Sequence, residues 1–385
     1  MIRISKLLLS NFRNFSAKKF EFFPANLLVG ANGVGKTNIL ESLTLLGRNS
    51  SLRNSDFEEM IKDDEKSFAV FSEISGHEFI EKTGFSFDLA SRKKNFHIND
   101  EALNSKRQSD IKNYLVNFVF LTPQIEQLFV LGKSERRDYL DKIVSDIDFE
   151  HPSRINSYQK LLKERLLVLR KEFSPLFRGE VGAFAAKPQV AQQGGCIKQW
   201  LDAVENQIVE YGVAIASARL EAINFFNKAI SSFSSNFPKT ELRVIGEIEQ
   251  KLENQSAVQL EEDYKNKLEE NRETDRQNFK TNFGVHRCDF DAIFSNKKMS
   301  ALHSSTGEQK AIMISITLAR AKISSSYKNQ PTILIFDEAI SHLDEGRKND
   351  LFEEIFSLPM QSFFSATSTD LIPQQFVNKM TITAL

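Results

Sequence analysis

The octapeptide Gly30-Ala31-Asn32-Gly33-Val34-Gly35-Lys36-Thr37 constrains the fold more than any other stretch of the chain. It fits G-x-x-x-x-G-K-[ST] in full, the pattern of a phosphate-binding loop. Its flanks agree. Ala25 to Val29 is a short apolar run that reads as a buried strand, and Ile39, Leu40, Leu43 and Leu46 fall on one stripe of a following helix. A glycine turn between strand and helix exposes backbone N–H groups and the positive end of the helix dipole to an anion. Lys36 is expected to reach the β and γ phosphates of ATP, and the Thr37 hydroxyl to hold Mg²⁺.

A matching second half lies some 300 residues on. Thr332 to Phe336 is a continuous apolar run, the mark of a strand buried on both faces, and it ends in Asp337-Glu338. Asp337 can hold Mg²⁺ directly or through a water, and Glu338 can polarise a water for in-line attack on the γ-phosphate. The bland alternative, an acidic strand end facing solvent, sits poorly beside a complete phosphate loop. Ser305-Thr306-Gly307-Glu308-Gln309 opens a helix running from Lys310 to Ile323. Alone it is an ordinary helix cap with a first-turn acid. Between the loop and this helix, Gln124 follows the apolar strand Val119 to Leu121 and Pro123. A glutamine at such a junction can touch Mg²⁺ or the attacking water. Phosphate loop, distant Gln, S-x-G-x-Q, strand ending in D-E, then Leu343-Asp344 is the order found in ABC-type ATPases.

Composition narrows the remaining choices. The chain has 385 residues, enough for two or three domains, and is 41% hydrophobic and 26% charged, a soluble globular balance. Formal net charge is −1, so any DNA contact must come from a local basic patch. The two cysteines, Cys196 and Cys288, are far apart and lack metal-ligand spacing, which suits a reducing compartment. The N-terminal apolar run is too short for a secretory signal and no segment is long and apolar enough for a bilayer, so a cytoplasmic protein without membrane contact is expected. Phenylalanine, at 33 residues against 6 Tyr and 1 Trp, is expected in the core.

Read in order, Ile2 to Leu9 and Lys19 to Phe23 form a hairpin; Phe68 to Ile74, Thr83 to Asp88 and Asn95 to Ile98 form a meander. Arg13 reads either as a cation reaching nucleotide or DNA, or as a solvated turn residue. Arg48 and Arg53 lie on a polar loop, and Arg92-Lys93-Lys94 on a solvated tip. Helical stripes over Ile155 to Lys171 and Ile197 to Phe233 flank a long loop marked by Ser174-Pro175, Pro188 and Gly194-Gly195, which suggests an antiparallel helical arm. Glu261 to Lys280 is charged and reads as an exposed helix. His286, alone on a turn, reads as structural.

The motifs together resemble the RecF family of DNA replication and repair ATPases, relatives of the SMC heads. The resemblance rests on Leu9 to Phe15 (L-S-N-F-R-N-F), Gly30 to Thr37, Leu131 to Asp141 (L-G-K-S-E-R-R-D-Y-L-D), Gly284 to Asp289 (G-V-H-R-C-D), Ser305 to Lys310 and Ile335 to Asp344. It implies an α/β fold, an ABC/SMC-type P-loop ATPase head with a mainly helical second lobe. We expect lobe I to comprise 1–118 and 331–385, and lobe II, with the arm and signature motif, 119–330. It implies a weak, DNA-stimulated ATPase that dimerises on ATP, binds duplex, gapped or junction DNA, and acts with RecR and RecO to help RecA load at gaps and stalled forks. By the same resemblance, Gly30 to Thr37 hold the nucleotide and Thr37 and Asp337 the metal. Glu338, Lys36 and Gln124 serve catalysis, Ser305, Gly307, Glu308 and Gln309 form a signature acting in trans, and Asp344 is the D-loop acid. Two departures stand out. Val285 replaces the family's usual proline, predicting a looser turn, and Thr367 stands where transporter ATPases carry a switch histidine. A transporter subunit is the main alternative, although the long helical interval between Gln124 and Ser305 disfavours it. A scaffold that uses ATP only as glue is disfavoured by Asp337-Glu338.

Overall fold

A computed structural model describes residues 2–47, 52–53, 55–76, 80–99, 101–103, 116–170, 194–294, 297–327, 331–341 and 343–385. Arg48, Ser174-Pro175 and Pro188 lie outside them. The strands are β1 (Arg3–Phe12), β2 (Phe15–Glu21), β3 (Ala25–Val29), β4 (Ser67–Ser75), β5 (Ile80–Asp88), β6 (Lys93–Ile98), β7 (Glu101–Ala102), β8 (Asn117–Leu121), β9 (Thr240–Ile245), β10 (Asp289–Phe294), β11 (Met299–Ser300), β12 (Thr332–Asp337), β13 (Gln361–Ala366) and β14 (Thr381–Ala384). The helices are α1 (Lys36–Thr44), α2 (Pro123–Glu126), α3 (Lys133–Ser145), α4 (His151–Leu169), α5 (Gly194–Ser231), α6 (Glu247–Asn254), α7 (Ala257–Glu270), α8 (Arg272–Asn278), α9 (Thr306–Tyr327), α10 (Glu345–Ser357) and α11 (Gln374–Val377). Gly194-Gly195, expected in a loop, instead open α5.

The chain divides into two compact units, one of Met1–Val130, Phe226–Glu241 and Ile293–Leu385, the other of Leu131–Phe225 and Leu242–Ala292. The first carries two sheets. One is antiparallel in the order β2-β1-β4-β5-β6-β7; the other runs β14-β3-β13-β12-β8 with every pairing parallel. Helix α1 lies between them. Its Ile39, Leu40 and Leu43 share a core with Leu7, Phe12 and Phe68 of one sheet and Ile335 and Phe363 of the other. Alternation along β4 sends Phe68, Val70 and Ile74 inward, while β12 and β13 are buried at every position, as parallel strands covered on both faces must be. Buried Gln361 joins the sheets: its amide accepts from the Ile4 N–H at 2.8 Å and donates to the carbonyls of Ile4 and Phe23.

The signature-bearing helix α9 belongs to this first unit, where the sequence assigns it to the middle lobe. Residues 311–320 are buried on every side, and α9 packs on β8 and β12, with Ser324 accepting from the Asn117 amide and the Thr332 hydroxyl. A helix this apolar has to be covered, and its few buried polar groups need partners: the parallel sheet covers one side, Ser315 donates to the Pro238 carbonyl and Thr317 to the Met313 carbonyl. The tip residues Arg92, Lys93 and Lys94 are exposed, as expected of a solvated tip. Lys94 is already in β6, with its ammonium 4.2 Å from the Phe57 ring centre, and Arg92 pairs with Glu58.

In the second unit, Val168 and Leu169 cluster with Leu201, while Tyr158 and Leu161 cluster with Val204, Ile208 and Ile215. That pairing runs α4 and α5 antiparallel. The stretch expected as one exposed helix is two, α7 and α8, and it is packed. Leu260, Tyr264 and Leu268, each four residues apart, form a fully buried stripe, and Asp275 is buried against Arg165. Three apolar residues at that spacing anchor a helix whose remaining surface is charged.

Candidate nucleotide site

The parallel sheet explains how residues far apart in sequence meet. Val29 pairs with Ala366, Ser365 with Asp337, and Phe336 with Leu121. The loop after β3, the acids at the end of β12, Thr367 after β13 and Gln124 after β8 therefore emerge at one carboxyl edge, where open α/β sheets bind ligands. Gln124 is exposed in the first turn of α2, and Thr367 is exposed as well.

The loop Gly30 to Thr37 has the backbone its glycines permit. Gly33 and Gly35 have φ of 85° and 113°, and a Cβ on Gly35 would stand 2.8 Å from both the Asn14 amide and the Phe15 ring. Asn14 donates to the Val34 carbonyl at 3.1 Å and accepts from Asn38, and Arg53 donates to Asn38, so the hairpin turn and the polar loop both brace the cradle. Ala31, Asn32 and Gly33 are exposed at its mouth. Lys36, 3% exposed, donates to the carbonyls of Gly30 (2.7 Å) and Ala31 (3.0 Å), and its ammonium lies 3.9 Å from Glu338 Oε1. An ammonium has three donors, so one remains for a phosphate oxygen.

The Thr37 hydroxyl is 3.1 Å from Asp337 Oδ1, and the Ser365 hydroxyl donates to that same oxygen at 2.6 Å. Burial raises the Asp337 pKa, the Ser365 and Thr37 hydroxyls counter it, and neighbouring Glu338 adds to the rise. A buried carboxylate next to a hydroxyl, short of positive charge, is a donor set that fits a hard divalent cation such as Mg²⁺. Glu338, with φ of 54°, is held in a left-handed conformation from both sides. Its N–H donates to Ser365 Oγ (2.9 Å) and its carbonyl accepts from Ser341 Oγ (2.8 Å). Neither serine stood out in the sequence, because a lone serine carries no spacing signal.

Arg13 is neither solvated nor pointed at the loop mouth. Its guanidinium donates twice to the fully buried Glu41 of α1 (2.9 and 3.1 Å), to the Glu59 carbonyl and to Ser55.

The signature residues divide in two. Ser305 is exposed, and a Cβ on Gly307 would meet nothing within 4 Å. Glu308 and Gln309 turn inward. Glu308 accepts from Ser305 N–H and Oγ and pairs with Lys297 at 2.6 Å, which together hold its pKa at about 2; Gln309 donates to the Ala301 carbonyl. Asp344 caps α10, accepting from the Arg347 N–H at 2.9 Å.

In the second unit, the two most specific motifs bind each other. Arg136 makes a bidentate pair with Asp289 (2.8 and 2.7 Å), and Arg219 joins Asp141, Glu249 and the Val285 carbonyl. The turn at Val285 is pinned, not loose. His286 Nε2 bonds the Thr281 carbonyl and Nδ1 the Tyr158 hydroxyl, which in turn meets Tyr264 at 2.7 Å. A carbonyl only accepts, so Nε2 carries the proton and Nδ1 accepts from Tyr158. Burial lowers the His286 pKa to about 4, with the thiol of neighbouring Cys288 pushed up to about 12 by burial too. His286 is structural, as its isolation in the sequence suggests.

Comparison with known proteins agrees with this layout. The RecF/RecN/SMC N-terminal domain model matches residues 3–380. The DNA replication and repair protein RecF of Rickettsia bellii is 30% identical over 98% of each chain, and that of Brucella suis 31% identical over 96% of this chain and 91% of its own. Among solved structures, the recombination mediator protein RecF of the RecFOR pathway, in its ATP form, superposes with a TM-score of 0.73 at 26% identity, covering 97% of this chain and 94% of that one. The Smc head domain of Pyrococcus furiosus, at TM-score 0.51 and 17% identity over 97% and 91%, shares the fold. With the phosphate loop, the D-E strand end and the interlocked motifs of the second unit all in place, the chain belongs to the RecF family of DNA replication and repair proteins, built on an SMC-type ATPase head.

Proposed function

We propose that this chain is an ATP-dependent DNA-binding recombination mediator with weak, DNA-stimulated ATPase activity. The observation that carries the reading is the convergence of the Lys36 ammonium, the Thr37 hydroxyl, Asp337 and Glu338 at the mouth of one glycine cradle. Backbone N–H groups from Gly30 to Thr37 and the start of α1 bind the phosphates, and Lys36 offers its remaining donor to the β and γ groups. Thr37 and Asp337 hold Mg²⁺. When bound, that ion neutralises charge on the phosphates. Glu338 takes a proton from the attacking water, and Gln124, which follows β8 at the same carboxyl edge of the sheet, orients that water.

Two copies close over two nucleotides. The exposed Ser305 and the uncovered backbone at Gly307 fit a role on the partner's nucleotide, and Asp344, the N-cap of α10, serves as the D-loop acid. Glu308 and Gln309 support that turn from within. The ATP-bound dimer grips duplex, gapped or junction DNA through local basic residues, since net charge is only −1. It acts with RecR and RecO to help RecA load at gaps and stalled forks, and hydrolysis releases it. The test is ATP turnover and DNA binding by the purified protein on duplex, single-stranded and gapped DNA. The reading expects turnover that rises with DNA and affinity that falls steeply with salt. Turnover indifferent to DNA, or salt-independent affinity, would overturn it.

A further inference from the structure

Lys310, the residue after the signature segment, is 7% exposed, and its ammonium reaches two side chains at once. Its ammonium lies 3.2 Å from Glu126 Oε2, on the turn that follows Gln124, and 3.5 Å from the Ser341 hydroxyl. Ser341 in turn donates to the Glu338 carbonyl at 2.8 Å. The other Glu126 oxygen, Oε1, is buried and has no hydrogen-bond partner among the described residues. Burial raises the Glu126 pKa, Lys310 opposes the rise, and Asp337 and Glu338 add to it through space, so this carboxylate sits within the field of the hydrolytic acids.

These contacts form one line: Glu126, Lys310, Ser341, then the backbone of Glu338. Glu338 occupies a left-handed conformation that a non-glycine residue keeps only when its surroundings enforce it. Ser365 fixes its N–H side and Ser341 its carbonyl side. Lys310 stands 3.5 Å behind that carbonyl clamp, and Glu126 is its carboxylate partner among the described residues.

We propose that Glu126 and Lys310 are positioning residues for ATP hydrolysis, a buried strut that holds the Glu338 backbone in register and ties it to the helix bearing Ser305 and Gly307. The strut carries no proton and touches no nucleotide; it acts through Ser341. The inference rests on the ATPase reading above and adds to it the residues that set the attitude of the general base. It also assigns the buried cation of the signature helix to the helix's own subunit.

The experiment compares steady-state ATP turnover in wild type, Glu126→Gln, Lys310→Met, Lys310→Arg and the double variant Glu126→Gln/Lys310→Met, with binding of a fluorescent ATP analogue and thermal melting alongside. We expect kcat to fall about ten- to a hundred-fold in Glu126→Gln and Lys310→Met, as loss of a charge-assisted contact held in the transition state gives. Analogue affinity should stay within about threefold, since the strut lies outside the cradle. The double variant should be no slower than the worse single one, and Lys310→Arg should recover most of the loss. Glu126→Gln changes one atom and keeps shape, so it stays informative if Lys310→Met melts early. A kcat within twofold of wild type in Glu126→Gln, multiplicative losses in the double variant, or affinity falling in step with kcat would each overturn the strut. Glu338→Gln run in parallel separates the two claims. If it too turns over like wild type, the ATPase reading itself fails, and the strut with it.

Discussion

Replacing Arg13 by alanine separates a structural role from a ligand role. Arg13 and Glu41, 28 positions apart in the chain, are joined by two hydrogen bonds of 2.9 and 3.1 Å.

 Glu41 is fully buried on α1, and the Arg13 side chain is 16% exposed. Removing one member of a buried ion pair costs about 3–5 kcal/mol, and the partial exposure of Arg13 places this case near 3 kcal/mol. For a unit of this size that lowers the melting temperature by roughly 6–12 °C. Arg13→Leu combined with Glu41→Leu removes both charges together and should recover most of the loss, because an apolar pair of similar volume is close to neutral. The assay is thermal melting of wild type, Arg13→Ala, Arg13→Leu, Glu41→Leu and the double Leu variant, with binding of a fluorescent ATP analogue measured on each. Arg13→Ala melting within about 2 °C of wild type, or strictly additive losses, would refute the structural role. Weakened analogue binding at unchanged melting temperature would make Arg13 a nucleotide ligand instead.

Three further outcomes follow from the same geometry. Ser365→Ala removes the donor to Asp337 and the acceptor for the Glu338 N–H, so kcat should fall about ten- to a hundred-fold with ATP affinity kept, at about 1.5–3 kcal/mol for a hydrogen bond to a charged group; unchanged turnover would contradict it. Gly35→Ala should abolish analogue binding, since its Cβ meets Asn14 and Phe15 at 2.8 Å, whereas Gly33→Ala, with open space around it, should lose only about tenfold through its backbone, roughly 1–2 kcal/mol; equal losses would be the contrary result. His286 stays neutral in the fold down to about pH 4, while the unfolded chain protonates it near 6.5. The unfolded state therefore binds more protons in that window, and stability should fall as pH drops from 6.5 to 4, by about 3 kcal/mol in all at 1.36 kcal/mol per unit. Urea unfolding at stepped pH checks this, and His286→Gln retaining the same slope would count against it.

Much of the site was legible in the sequence because its chemistry is local. The glycine pattern of Gly30 to Gly35 and the apolar run ending in Asp337-Glu338 each specify their own backbone, and a parallel sheet then sets them side by side. The supports were not legible. Ser365, Ser341, Lys310 and Asn14 act through contacts between distant segments, and no spacing rule points to them. Arg13 could not be decided either, since its partner Glu41 reads in sequence as one more polar helix residue. The charged run from Glu261 to Lys280 misled for a related reason: composition is an average, and three apolar residues on one stripe outweighed it. The placement of α9 followed motif order in the sequence but is decided by packing, since residues 311–320 are all buried.

The central claim is that ATP held at Gly30 to Thr37 joins two copies of this chain. Solution mass by multi-angle light scattering, with and without ATP and Mg²⁺, tests it most directly on wild type, Lys36→Ala and Glu338→Gln. The account predicts a doubling of mass with ATP in Glu338→Gln, where hydrolysis is blocked, and none in Lys36→Ala. A monomer mass for Glu338→Gln at saturating ATP, or a dimer of Lys36→Ala that forms regardless of nucleotide, would contradict it.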